Sequence, residues 1–172
     1  MAGETFVEPA RWHASLPGVV ATAGALIHDA AASLLVVKPN YRDYWTLPGG
    51  ICEFGEAPHA ACAREVTEEI GLRLPVGRLL SVDWQLPQPA YGPGARPAVY
   101  FIFDCGTLRG STGIALQAAE LDDYAFVPPE ALADLLPSFA LPRVRAALAA
   151  RASGCVRYVP LTDGDDATGN GQ

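Results

Sequence analysis

The residues best able to do chemistry fall in one short stretch, Arg64, Glu65, Glu68 and Glu69. On a helix, residues three and four apart share a face, so the three glutamates present their carboxylates together while Val66 and Ile70 point about a third of a turn away. Carboxylates crowded in this way repel one another unless cations lie between them, and hard divalent cations such as Mg2+ prefer oxygen ligands of this type. Taken alone, the three glutamates equally describe a solvated acidic helix face. The choice between these readings rests on what surrounds them.

Gly49 and Gly50 stand before the acidic stretch, separated from it by a tight loop that contains Glu53, Gly55 and Glu56. Written out, Gly50, five residues, Glu56, seven residues, then Arg64, Glu65, Val66, Thr67, Glu68, Glu69, Ile70, Gly71 and Leu72 reproduce one spacing over residues 50–72. This spacing resembles the catalytic signature of the Nudix hydrolases at every defining position, and the lead-in Trp45, Thr46, Leu47, Pro48, Gly49, Gly50 is similar to the family as well. Many restricted positions at one spacing make a far more specific signal than a lone glycine motif.

The resemblance implies a Mg2+-dependent enzyme, with Mn2+ able to substitute, that hydrolyses the diphosphate linkage of a nucleoside diphosphate joined to another group. It implies a metal site of Glu65, Glu68 and Glu69, helped by the backbone carbonyl of Gly49, with Arg64 orienting the carboxylates. Glu56 is then a ligand to a metal-bound water or a brace for the loop. Members of the family recruit one more acid from outside the signature. Glu120 is the choice here, from the run Glu120, Leu121, Asp122, Asp123, with Asp122 and Asp123 as competitors. Glu65 is the leading candidate to take the proton from the attacking water, although the base varies within the family and can lie on a loop elsewhere.

The signature identifies phosphorus chemistry and not the attached groups. Tyr41, Tyr44 and Trp45 before it, and Trp84 and Tyr91 after it, are candidates to stack on a base or ring, although aromatics at such positions also serve as core. Pro87 lies where ADP-ribose-cleaving relatives carry a proline, but it belongs to a Pro-rich segment and discriminates little. Two other readings compete. One is a pyrophosphatase for a non-nucleotide diphosphate such as a prenyl diphosphate, which needs a long apolar channel rather than stacking rings with hydrogen-bonding neighbours. The other is a nucleotide-binding sensor without turnover, which has no need for the full acidic cluster.

The elements that must position these residues can be read from the pattern. Pro58 suits a first helical turn and Gly71 a helix end, which predicts a helix between them. Val19 to Ile27 and Ser33 to Val37 read as two strands of a hairpin, and Pro39 to Gly55 as loop with a short extended piece. Further strands are expected over Arg78 to Asp83 and Ala98 to Phe103, separated by a long loop from Leu86 to Pro97 that is placed to border the substrate site. Leu116 to Val127 reads as a last strand, and Pro129 to Leu135 and Leu141 to Arg151 as short helices. Together with the resemblance this gives an α/β fold, a Nudix-type α/β/α sandwich around a mixed β-sheet, as one domain over residues 1–161. A disordered tail is expected over residues 162–172.

Composition limits the partners. Of 172 residues half are apolar, enough for a core of one domain, and the formal charge is −7 with a pI near 4.8. That charge disfavours a nucleic acid polymer or an anionic membrane as partner, so the expected partner is a small-molecule diphosphate drawn by metal and local basic groups. No apolar run is long enough to span a bilayer, and a cytoplasmic location is expected. Cys52, Cys62, Cys105 and Cys155 show no metal spacing and are expected as reduced packing residues, and His13, His28 and His59 are scattered. A homodimer is compatible with the resemblance.

Overall fold

The computed structural model describes residues 8–87, 92–110 and 113–160. A short helix, α1 (Pro9–Ala14), precedes strands β1 (Val20–His28), β2 (Leu34–Pro39) and β3 (Gly49–Ile51), then helix α2 (Pro58–Ile70) and strands β4 (Leu79–Gln85), β5 (Ala98–Thr107) and β6 (Leu121–Val127). A 3-10 helix (Pro129–Asp134), helix α3 (Leu141–Ser153) and strand β7 (Arg157–Val159) follow. The strands form one mixed sheet in the order β6-β2-β1-β5-β4-β7, with β3 paired to β1.

β1 runs parallel to β5 and is covered on both faces, which is why it reads as an almost unbroken apolar run rather than an alternating one. On one face α2 packs Ala61, Cys62, Val66 and Ile70 against Ala23, Ile27, Leu35 and Val37. On the other, α3 and the 3-10 helix pack Val144, Ala147, Ala150 and Leu132 against Leu26, Leu80 and Ile102. The layers are those of the expected α/β/α sandwich. Gly71 ends α2 in the left-handed conformation at φ 72° and donates its N–H to Thr67 O, as its place in the sequence suggested.

Several expectations need correction. β1 and β2 are not a full hairpin: their register is confined to His28 opposite Leu34, because β2 turns away to pair with β6 while β3 takes the antiparallel place beside β1. The turn between them is held by Asp29 Oδ1, which accepts the N–H groups of Ala31 and Ser33. The strand expected from Leu116 begins at Leu121, since the preceding residues dock on the end of α2, and it is not the last strand, because β7 adds to the edge beside β4. β4 and β5 run past their expected ends to Gln85 and Thr107. The short helix expected from Pro129 is of the 3-10 type, and α1 was not foreseen. Cys62 and Cys105, distant in sequence, meet in the core with their sulfurs 3.8 Å apart in a thiol–thiol hydrogen bond rather than a disulfide, and all four cysteines are free thiols. The expected tail, 162–172, lies outside the described residues. Among those described, no helix is long and apolar enough to cross a membrane.

Val66, 1% exposed, holds the acidic helix to the sheet. Val66→Asp places an unpaired charge in that contact and is expected to cost roughly 3–5 kcal/mol of stability with or without divalent cation, read as an unfolding midpoint in denaturant. A midpoint within error of the parent would show that α2 does not depend on this contact.

Candidate active site

Arg64 organises the loop and the first part of α2. Its guanidinium makes two parallel bonds to Glu56, from Nε to Oε1 and from Nη2 to Oε2, both at 3.0 Å. Nη1 donates to Glu65 Oε1 at 2.8 Å and to Glu68 Oε2 at 3.0 Å, and Nη2 also reaches the carbonyl of Ile51 on β3. Glu56 in turn accepts the N–H of Glu53 at 2.9 Å and closes the turn before the helix. These bonds hold the Glu56 carboxyl below its usual range, the Arg64 bond contributing most.

Gly49 and Gly50 let β3 come close to both β1 and α2. Gly49 has φ 143°, and a Cβ there would stand 2.1 Å from the carbonyl oxygen of Ala23. A Cβ on Gly50 would stand 2.4 Å from Glu65 Oε1, so the Glu65 carboxylate occupies the space above this backbone. The Gly49 N–H donates to Glu69 Oε2 at 2.7 Å. Glu69 is 7% exposed, and its burial, followed by the charges of Glu65, Glu120 and Glu68, pushes its carboxyl up to about 8 against the opposing pull of the Gly49 N–H. Burial also raises Glu65, with Arg64 opposing it.

Glu120 reaches this place through backbone bonds that no sequence pattern announces. The Ala115 and Gln117 N–H groups donate to Ile70 O and Glu69 O at the end of α2, and Asn40 bonds to Ala119 O and Glu120 O. Glu65, Glu69, Glu120 and Gly49 therefore line one cleft of about 760 Å³. Glu68 does not line it. Its side chain is 50% exposed and engaged with Arg64. Asp122 and Asp123 are exposed and also absent from the cleft. Among the described residues, no three acidic, histidine or cysteine side chains form a group already arranged to hold a metal ion, since Glu65 and Glu68 turn to the guanidinium and Glu69 to an amide.

Of the aromatic candidates, Tyr41, Tyr44 and Trp45 line the cleft. Trp84 does not: in β4 it alternates with Asp83 and Gln85, and it is Gln85 that reaches the cleft. Tyr91 lies outside the described residues. From the loop between β4 and β5, Leu86, Gly94, Ala95 and Arg96 border the cleft.

Arg42, Tyr100, Phe139 and Arg143 were not singled out from the sequence, yet with Tyr41 and Tyr44 they form a continuous wall. Arg42 lies over Tyr41 at 5.3 Å and Tyr44 at 5.5 Å, Tyr44 meets Phe139 edge-on at 5.6 Å, and Arg143 lies over Phe139 at 5.8 Å and Tyr100 at 4.2 Å. Arg143 is buried and paired with Asp83 at 3.0 Å. The wall runs from the acidic end into the cleft, a site with a place for a charged group and a place for a planar ring.

Comparison with known proteins bears on the family and the fold. The sequence model of the NUDIX domain matches residues 19–147. A MutT-like protein of Streptomyces ambofaciens is 29% identical over 115 residues, covering 67% of this chain and 67% of that one. YjhB of Bacillus subtilis, whose name assigns it to the ADP-ribose pyrophosphatases, is 32% identical over 108 residues, covering 60% of this chain and 48% of that protein. This chain thus spans about two thirds of the first of these relatives and about half of the second. The crystal structure of a MutT protein from Methanosarcina mazei superposes with a TM-score of 0.65 at 20% identity, over 78% of this chain and 96% of that one, and so shares the fold.

The buried Glu69 carboxyl generates a pH signature. Its value in the fold lies above that of the unfolded chain, so the stability tied to its neutral form is fully present below about pH 4.5 and is lost as pH rises through about 8. Without divalent cation, the stability of the parent chain is expected to fall across this window relative to Glu69→Gln, by on the order of 5 kcal/mol at its upper end, read from melting profiles. Parallel melting profiles for the two proteins would remove Glu69 as the source.

Proposed function

This chain belongs to the NUDIX domain family and is a Nudix hydrolase, and from that premise we propose that it hydrolyses, with Mg2+, the diphosphate linkage of a nucleoside diphosphate joined to another group. The observation that carries the reading is the shared cleft, with Glu65, Glu69, Glu120 and Gly49 at one end and the wall of rings and guanidinium groups beside them. Stacking surfaces with donors at their edges suit a nucleobase, whereas a prenyl chain calls for a closed apolar channel.

The residues fit a hard divalent cation. The donors are all oxygen, burial and mutual repulsion raise Glu65 and Glu69, and Gly50 leaves the space above its backbone to the Glu65 carboxylate. Glu65, Glu69 and Glu120, with the Gly49 carbonyl, would hold the cation, while Glu68, outside the cleft, is held by Arg64. Bound there, such a cation supplies an acidified water and offsets charge on the phosphoryl oxygens. Arg64 holds Glu56, Glu65 and Glu68 in place, so their orientation does not have to be found anew in each turnover. Glu65 would take the proton of the attacking water on a carboxylate oxygen. Tyr41, Tyr44 and the rings beyond them hold the base, and the loop carrying Ala95 and Arg96 closes the other side of the cleft.

Activity is expected to depend on Mg2+ or Mn2+, to vanish in EDTA, and to drop about 100-fold or more in Glu69→Gln. A panel of nucleotides, nucleotide sugars and prenyl diphosphates assayed for phosphate-containing products provides the test. Full turnover by metal-free protein, or a prenyl diphosphate as the best substrate, would overturn the reading.

A further inference from the structure

Arg143, 8% exposed, stands in the first turn of α3 and is held from several sides. Its Nη1 donates to Asp83 Oδ2 at 3.0 Å, and the same oxygen accepts Gln85 Nε2 at 3.0 Å. Its backbone carbonyl accepts the Ser81 hydroxyl, so β4 grips it through both Ser81 and Asp83. Tyr100 and Phe139 confine the guanidinium further.

This hold leaves one edge of the guanidinium unused. Among the described residues, Nε and Nη2 of Arg143 have no hydrogen-bond partner. The only sealed side-chain nitrogen or oxygen without a partner among those residues is His28 Nδ1, so the free donors of Arg143 are not shut away from solvent. The open space that Arg143 borders is the cleft. Tyr100 links this point to the acidic end. Its hydroxyl lies against Gly24, where a Cβ would stand 2.7 Å from it, and Gly24 is the register partner of Gly49, whose N–H bonds to Glu69.

The chemistry of the free edge is one-sided. A guanidinium is always charged and carries donors only, and Nε with Nη2 presents them side by side. Parallel donors match the O6 and N7 acceptors of a 6-oxopurine, or the carbonyl oxygen at position 4 of uracil or thymine. An amino group in that place sets donor against donor and leaves a buried charged group unmatched, a larger penalty than a contact missed at the surface. We infer that Arg143 is a specificity-determining residue that reads the base. The cleft then selects nucleotides with a carbonyl at purine position 6 or pyrimidine position 4 over those with an amino group there. The inference rests on the proposed binding of a nucleotide and narrows its base.

Matched nucleotides test it. With Mg2+ present, calorimetry compares inosine diphosphate with adenosine diphosphate, and uridine diphosphate with cytidine diphosphate. In the pair bound more tightly, the carbonyl member is expected to lead by at least about tenfold, the discrimination of one bidentate contact. Arg143→Lys keeps a cation beside Asp83 but loses the fork, and should bring that ratio to about unity with little change in the unfolding midpoint. If that variant does not fold, Asp83→Asn together with Arg143→Gln removes both charges so that neither is stranded, and the same loss of the ratio is expected. A parent ratio near unity, or a variant that weakens all four nucleotides equally, would show that Arg143 only ties α3 to β4 and would end this inference. Discrimination in binding with no turnover of any diphosphate would instead strike the proposed hydrolysis alone. Failure of all four nucleotides to bind would remove both.

Discussion

The site depends on one guanidinium group. Arg64 sits in α2 yet bonds backward to Glu56 in the loop and to Ile51 O on β3, and sideways to Glu65 and Glu68 on its own helix. As a contribution to stability the bond to half-exposed Glu68 is small, about the few tenths of a kcal/mol of a helical i,i+4 pair. Its weight is geometric. A planar fork with five donors satisfies three carboxylates and a carbonyl at once, which a lysine ammonium with three donors cannot do in fixed directions. Loop, strand and helix share one frame because one side chain is bonded to all three.

That frame would collapse if β3 could not approach β1 and α2. Gly49 and Gly50 permit the approach, one by adopting a backbone conformation closed to other residues and the other by leaving its Cβ volume to the Glu65 carboxylate. Val66 and Ile70 press the helix against the sheet from the opposite side. The helix is therefore clamped with its apolar face on the core and two carboxylates, Glu65 and Glu69, turned toward the cleft. Glu69 is carried so far inward that its neutral form is favoured, with a single amide N–H opposing. Such strain on a buried carboxylate is relieved by a cation, which ties the chemistry of this site to the way the fold packs.

The rest of the cleft answers a different need. A diphosphate is bound by charge, but what is attached to it must be recognised by shape and by groups at its edge. The wall from Tyr41 to Tyr100 supplies planar surfaces, and Arg42 and Arg143 lie over its rings. The Arg143–Asp83 pair holds the deep end of this wall to β4. The acidic end and the wall of rings are in this way carried by opposite faces of the sheet, α2 on one and the start of α3 on the other, meeting where β1 and β5 begin.

The family, the α/β/α layers, the helix from Pro58 to its glycine end and the acidic cluster with Arg64 were all legible in the residues, because they are set by short-range rules: helical periodicity, turn-forming glycines and a motif of fixed spacing. The same locality explains the limits. Which glutamates enter the cleft and which faces solvent is decided by how α2 lies on the sheet, so Glu68 could not be told from Glu65 and Glu69 along the chain. Glu120 was separated from Asp122 and Asp123 only by bonds from Asn40 and from the end of α2. Trp84 and Gln85 are neighbours in sequence, yet the strand pleat sends them to opposite faces of the sheet. Arg42, Arg96 with Tyr100, and Phe139 with Arg143 belong to three separate stretches of the chain and share no pattern. Their convergence on one cleft is a property of the sheet order β2-β1-β5-β4, and long-range pairing of that kind is written in no local stretch of sequence.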